Sequence, residues 1–336
     1  MRRSLLRLSI PLKRPFVTSG GVVSARELLL MRLEDEDGAV GYGEAAPLEP
    51  YDGVTIGEVA EELQRGKASL PHARAAEEMA RLDLEARREG RALGQPGAEA
   101  IAVNRTLPGG PPAEVAAEAR AALSDGYSCF KLKVGLPDDL ERVAAVRDAV
   151  GSWPALRLDA NGAWMPDEAV RRIEELAPFD LQLVEQPCRT LEELAEVRPA
   201  VTVPVGADES VLGVGDVRAA AEIKACDVVN VKLAGSGGFG AARDALREAE
   251  RHGLRAFLSS TLDGPWGIAA ALQLAASEGL SLACGLATLE LFDAGIARVL
   301  PEARGGLMPV PQGPGLGVDV SEDDLAEVTV DTLALA

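Results

Sequence analysis

From about residue 98 onward the chain repeats one unit: a short run of β-branched and aliphatic residues, then a helical window rich in Ala, Glu and Arg, recurring about every 25 residues. The runs fall at 100–103, 129–134, 155–159, 181–185, 203–206, 228–232, 256–259 and 281–285, and helical windows include 113–123, 138–150, 166–176 and 241–252. Strands separated by helices pair in parallel, with the helices covering the sheet. Eight such units occupy roughly 200 residues, which suits a closed (β/α)8-type barrel better than an open doubly wound sheet.

The flanks lack this rhythm. Residues 1–97 read as a small α+β unit, with strands 27–33 and 39–42 about the turn Glu36-Asp37-Gly38, a helix at 56–64 with Thr55 as its N-cap, and a second helix at 73–88. Beyond 290 the tail is rich in Gly and Pro, as in Pro311-Gln312-Gly313-Pro314-Gly315, and shows neither period. It is expected to run back over the first unit. The division expected is 1–97, 98–290 and 291–336.

With 53 acidic against 34 basic side chains the formal charge is −19, which opposes binding to phosphate backbones and anionic lipid. Neither nucleic acid nor membrane is expected as a partner, and no apolar run approaches the roughly 18 residues needed to span a bilayer. The opening Met1-Arg2-Arg3-Ser4-Leu5-Leu6 is too charged for a signal peptide, so a cytoplasmic location is expected. Cys129, Cys188, Cys226 and Cys284 lie too far apart for a Cys-x-x-Cys pair, and His72 and His252 are the only histidines. Zinc-thiolate sites and histidine bases are thereby disfavoured. His252, just before Gly253, suits a helix C-terminus.

In a βα barrel the reactive groups stand at the C-terminal strand ends. Three successive strands end in a carboxylate, Leu158-Asp159, Val184-Glu185 and Ala207-Asp208, spaced by 26 and 23 residues. Any one of these acids would serve as a cap for the next helix. Three in phase converge on one point and repel unless a cation neutralises them. Oxygen-only ligation favours a hard ion, so Mg²⁺ is expected, with Mn²⁺ as a substitute.

The preceding strand reads Phe130-Lys131-Leu132-Lys133, with both lysines on one face, and the sixth ends in Asn230-Val231-Lys232. If those faces line the barrel, ammonium groups stand on opposing walls of one mouth. Burial and a like-charged neighbour are expected to lower a lysine's pKa, which suits it to accept a proton near neutral pH. Arg157 shares the face of Asp159.

Taken in order, Gly41-Tyr42-Gly43-Glu44-Ala45-Ala46-Pro47, Lys131-Leu132-Lys133, Asp159-Ala160-Asn161-Gly162, Glu185-Gln186-Pro187, Ala207-Asp208-Glu209-Ser210 and Asn230-Val231-Lys232 resemble the muconate-lactonizing subgroup of the enolase superfamily. The resemblance implies a (β/α)7β barrel, and an α+β capping domain formed by the N-terminal segment and the C-terminal tail. It also implies one Mg²⁺ on Asp159, Glu185 and Asp208, and abstraction of a proton α to a carboxylate. Lys133 and Lys232 would be the catalytic pair flanking the substrate, and Lys131, Asn161 and Ser260 would contact it. The partner would be a small carboxylate substrate, and a homo-oligomer is compatible with the pattern.

Within the subgroup, Leu258-Ser259-Ser260-Thr261-Leu262-Asp263 and Ala283-Cys284-Gly285-Leu286-Ala287-Thr288 are most similar to o-succinylbenzoate synthases. That implies dehydration of 2-succinyl-6-hydroxy-2,4-cyclohexadiene-1-carboxylate in menaquinone biosynthesis, with Arg157 expected to pair with the second carboxylate that the succinyl group would bring. Gly264-Pro265-Trp266 departs from many relatives and is expected to alter the pocket wall. N-acylamino-acid racemases, dipeptide epimerases and muconate cycloisomerases use the same two lysines and stay open as alternatives. The Asp-x-Asp that dipeptide epimerases carry after the eighth strand is absent.

Two other classes fit less of the pattern. A Schiff-base aldolase has no use for three metal-binding acids, and a silent binding protein has none for two lysine walls. Gly235-Ser236-Gly237-Gly238-Phe239-Gly240 matches G-x-G-x-x-G, but the next strand ends Leu258-Ser259 with no acid for a ribose. A dinucleotide is not expected.

Overall fold

A computed structural model describes residues 1–18, 21–94 and 97–335. The N-terminal sheet begins with β1 (Arg2–Thr18), β2 (Gly21–Glu34) and β3 (Val40–Ala45), followed by helices α1 (Glu49–Asp52), α2 (Ile56–Gln64) and α3 (Pro71–Arg88). The run Leu28-Leu29-Leu30-Met31 is apolar at every position because both faces of β2 are covered. Leu29 and Met31 pack with Leu5, Val59, Leu63 and Ala76 under the helices, whereas Leu28 and Leu30 join Leu8 and Ile10 in the core shared with the barrel. Thr55 caps α2 in a capping box with Glu58. On β3, a Cβ at Gly43 would lie 1.9 Å from the Ala76 carbonyl oxygen, and one at Gly41 2.3 Å from that of Ala80. These two glycines let α3 lie directly on the strand.

After β4 (Ala100–Ala102) come seven parallel strands in ring order: β5 (Arg105–Leu107), β6 (Cys129–Lys133), β7 (Ala155–Asp159), β8 (Leu181–Glu185), β9 (Val205–Ala207), β10 (Val228–Lys232) and β11 (Arg255–Ser259). Between them run α4 (Pro112–Ser124), α5 (Asp139–Val150), α6 (Pro166–Leu176), α7 (Leu191–Val197), α8 (Val214–Glu222), α9 (Leu233–Ser236) and α10 (Phe239–Arg251), with α11 (Pro265–Ser277) after the last strand. Residues 281–285 close the ring through single bridges, Ser259 to Gly285 on one side and Val103 to Cys284 on the other. The fold is therefore a TIM-like barrel beside a separate antiparallel sheet.

Two expectations need correction. The run at 100–103 is not the first barrel strand. β4 pairs antiparallel with β12 (Leu307–Pro309), and β5 takes the place beside β6. An apolar run marks a strand but not its partner, which here lies roughly 200 residues away. The tail is not featureless, since it holds β12, α12 (Glu322–Val328) and β13 (Thr329–Leu333), and β13 pairs with β1 to give the order β13-β1-β2-β3. β1 itself went unread because Arg2, Arg3, Pro11, Lys13, Arg14 and Pro15, all exposed, interrupt its apolar alternation.

The glycine-rich segment between α9 and α10 has a packing role. Gly237 and Gly238 have φ of 101° and 114°, and a Cβ at Gly238 would overlap the Glu78 carboxylate of α3. The motif docks α10 against α3. Among the described residues, no helix is long and apolar enough to cross a membrane.

Candidate active site

The parallel register fixes the site. Lys133 is paired with Asp159 and Asp159 with Glu185 at the C-terminal ends of β6, β7 and β8, and Asp208 follows β9 directly. Every residue of β6 and β10 is buried, so alternate side chains point into the ring. The three acids converge as their spacing predicts: Asp159, Glu185 and Asp208 each offer an oxygen within 4.8 Å of the others. Among the described residues theirs is the one group of three so arranged.

The lysines meet these acids. Lys131 Nζ lies 2.8 Å from Glu185 Oε1 and 2.9 Å from Asp159 Oδ2. Lys133 Nζ donates to Asp159 Oδ2 at 2.6 Å and to Asn161 Oδ1 at 2.8 Å. On the opposite wall Lys232 Nζ pairs with Asp208 Oδ1 and donates to Tyr51 Oη at 2.6 Å. The expected lowering of lysine pKa is corrected for Lys131. Burial lowers it, but the Asp159 and Glu185 carboxylates outweigh burial and the net shift is upward.

The acids respond unequally. Burial opposes ionisation of all three, yet Lys131 and Lys133 hold Asp159 below the usual carboxylate range, and Lys232 with Lys131 does the same for Asp208. Glu185 is pushed up, first by burial and then by the neighbouring Asp159 and Asp208. Its Oε1 also accepts from Asn230 Nδ2 at 2.8 Å, but its buried Oε2 has no hydrogen-bond partner among the described residues. An orphaned carboxylate oxygen beside two other buried acids fits a bound divalent cation.

Around this centre lies a cavity of about 830 Å³, lined in part by Lys131, Lys133, Asp159, Asn161, Asp208, Lys232 and Ser260. Ser260 Oγ lies 2.9 Å from Thr288 Oγ1 on the wall built by β11 and the 281–288 segment. Asn161, Gln186 and Leu262 have φ of 46°, 41° and 60°. All three line the cavity, so its wall includes backbone held in a conformation that side chains other than glycine adopt less often. Gln186 shows what the constraint achieves, since its Oε1 accepts from the Asp208 N–H at 2.7 Å and fixes the loop that carries Asp208.

Two expected features do not reach the cavity. Arg157 is fully buried below it, giving Nε to Gln182 Oε1 at 2.6 Å and Nη1 to the Ala283 carbonyl at 2.7 Å, with its guanidinium 4.7 Å from the Phe257 ring centre. These bonds tie strands together, and Arg157 is not among the residues that line the cavity. Gly264-Pro265-Trp266 opens α11 and docks it on the N-terminal sheet. The Gly264 N–H donates to Glu44 Oε1 at 2.7 Å, and Trp266 packs 5.8 Å from Tyr42. Neither histidine is among the lining residues: His72 Nε2 lies 2.8 Å from Asp52 Oδ2, and His252 caps the C-terminal end of α10, as expected.

Other lining residues carried no sequence signal. Tyr51 comes from α1, donates to Asp208 Oδ1 at 2.8 Å, and places its ring 4.2 Å from Lys232 Nζ. Phe16, Val22 and Val23 come from β1 and β2, and Leu48 and Pro50 from the approach to α1. Glu209, next to Asp208, lines the cavity as well. It accepts from Asn161 Nδ2 at 2.8 Å and is pushed up to about 7 by burial and by Asp208.

Comparison with known proteins agrees with this arrangement. Residues 114–324 match the family described as enolase C-terminal domain-like. The chain is 39% identical to o-succinylbenzoate synthase of Thermobifida fusca over 320 residues, covering 93% of this chain and 88% of that one. The dipeptide epimerase of Enterococcus faecalis, solved with Mg and L-Leu-L-Tyr, is 28% identical with a TM-score of 0.88, over 95% of this chain and 99% of that one. The muconate lactonizing enzyme of Pseudomonas fluorescens, solved with muconolactone, is 25% identical with a TM-score of 0.91, over 98% of both chains. A barrel whose strand ends carry three convergent acids between two lysine walls, in a chain this similar to such enzymes, belongs to the enolase superfamily and to its muconate-lactonizing group.

Proposed function

We propose that the protein is an o-succinylbenzoate synthase, removing water from 2-succinyl-6-hydroxy-2,4-cyclohexadiene-1-carboxylate. The observation that carries this reading is the 39% identity to the Thermobifida fusca synthase across 93% of the chain. The cavity wall supports it over dipeptide epimerisation. From the end of β11 onward the lining residues are Ser259, Ser260, Thr261, Leu262, Gly285 and Thr288, with no carboxylate among the described residues there to receive a substrate ammonium. Glu290, the nearest acid downstream, is instead paired with Arg105.

Asp159, Glu185 and Asp208 would hold Mg²⁺, the ion in the related epimerase structure. That ion supplies positive charge beside the substrate carboxylate, where deprotonation builds a second negative charge. Lys131, already against Glu185 and Asp159, adds a fixed cation on the same side. Lys133, oriented by Asn161 Oδ1, takes the proton from the ring carbon that bears the carboxylate, and the C–H electron pair moves into the carboxylate. The pair then returns to form the ring double bond as the adjacent C–OH bond breaks. Lys133, now an ammonium, gives its proton to the departing hydroxide, so that water and the aromatic ring result. Lys232, held by Tyr51 and Asp208, acts from the opposite face as a cation.

A racemase would need proton exchange at both lysines, so the readings separate in D₂O. Incubation with the cyclohexadiene, and separately with N-acylamino acids and dipeptides, should give fast dehydration with little α-deuterium exchange. Rapid exchange and racemisation without dehydration would replace this reading with the racemase.

A further inference from the structure

With Arg157 withdrawn from the cavity, the cation for a second substrate anion has to be sought on the lining itself. Lys131, Lys133 and Lys232 are each committed to carboxylates. The remaining lining cation is Arg189, in the loop between β8 and α7. Among the described residues its guanidinium has neither an ion-pair nor a hydrogen-bond partner, whereas its backbone is fixed. Its N–H donates to Glu193 Oε2 at 2.9 Å, and α7 starts one residue later in the Thr190–Glu193 capping box. Its stem rests on the backbone of Gly162, where an added Cβ would lie 3.1 Å from Arg189 Cγ. Gly162, with φ of 69°, leaves room for the side chain to lie across the loop that carries Asn161.

We infer that Arg189 receives the distal carboxylate of the substrate, so that the site selects molecules with a second anionic group remote from the reacting carboxylate. The inference rests on the proposed reading only in taking the substrate to be a carboxylate processed by Lys133. A guanidinium reads a carboxylate through two parallel N–H donors, which fixes the tail's direction as well as its charge.

The test is binding of two ligands to the Mg²⁺-loaded protein by calorimetry: o-succinylbenzoate, and o-butyrylbenzoate, which keeps the shape but ends in a methyl group. Wild type should prefer the first by about tenfold at low salt, less at high salt, because the guanidinium is exposed and screened. Arg189→Gln should lose that preference while binding o-butyrylbenzoate unchanged, and Arg189→Lys should keep part of it. If Arg189→Gln weakens both ligands equally, or leaves the preference intact, the assignment is wrong. Failure of the dehydratase reading shows separately, as absent turnover of the cyclohexadiene. The same comparison on N-succinyl and N-butyryl amino acids, read through KM, then decides Arg189 alone.

Discussion

Replacing Arg26 by Met should loosen the contact between the N-terminal sheet and the barrel and damage the site with it. Arg26 leaves β2 fully enclosed, 3% exposed, and spends its donors on main-chain carbonyls: Nε to Thr261 at 3.0 Å, Nη2 to Ala46 at 2.6 Å, and Nη1 to Pro47 at 2.6 Å and Glu27 at 3.1 Å. Thr261 lines the cavity, and Ala46 and Pro47 lead into Leu48, Pro50 and Tyr51, which line it too. Methionine keeps most of the apolar stem and removes the guanidinium. At about 1.5–3 kcal/mol per bond to a charged donor, four bonds give an upper limit that water and relaxed carbonyls will reduce. Truncating one side of a buried charged network costs about 3–5 kcal/mol, and that range is expected here. Against a typical total of about 5–15 kcal/mol this is large, so the urea midpoint should fall markedly at unchanged slope. KM should rise in conditions where the variant is still folded, with Arg26→Lys intermediate. A loss below about 1 kcal/mol with KM unchanged would refute the argument.

Three further outcomes are expected. Chelation should abolish activity and lower Tm, and Mg²⁺ or Mn²⁺ should restore both; Asp208→Asn, with one of the three buried carboxylates gone, should need far more metal, and full activity in its metal-stripped form would exclude metal dependence. Lys133→Ala should lower kcat by about 10²–10⁴ or more with an unchanged circular dichroism spectrum, whereas near-normal kcat would move the proton transfer elsewhere. Glu44, buried beside Asp263 at the start of α11, is pushed up from 4.5 to about 8, first by burial and then by Asp263. Because the folded state holds this proton more tightly, its contribution to stability is complete below about pH 4.5 and lost as the pH rises through 8. Urea midpoints across that window should fall with pH in wild type and fall less in Glu44→Gln.

What was legible in the sequence follows from range. The three acids and two lysine walls could be read because each sits at a strand end of a repeating unit, and adjacent parallel strands bring such ends together. Tyr51 could not, because its contact with Asp208 spans 157 residues and joins the N-terminal region to the barrel. β4 and β13 failed for the same reason, as both pair with strands from the other end of the chain. Gly235 to Gly240 matched a ligand motif locally, yet its positive φ values serve helix packing. A short motif specifies a backbone shape, and the shape has more than one use.

Arg157 exposes a more specific limit. Strand parity correctly put it on the face of Asp159, as it put Lys131 with Lys133, because residues two apart point the same way. Parity says nothing of height, and two residues along a strand are about 6.6 Å. Lys131 spans that distance with an unbranched chain and reaches Asp159 and Glu185 from one layer below. Arg157, no shorter, is instead claimed within its own layer by Gln182, Ala283 and the ring of Phe257. In a barrel filled by stacked layers of side chains, an inward charged residue belongs to the mouth only when it ends its strand or finds its counter-charge there. Lys131 meets the second condition and Arg157 meets neither. Applied to the sequence, that criterion keeps Lys133, Asp159, Glu185 and Lys232 in the site, assigns Arg157 to the interior, and directs the search for a second anion's partner to the loops beyond the strands, where Arg189 stands.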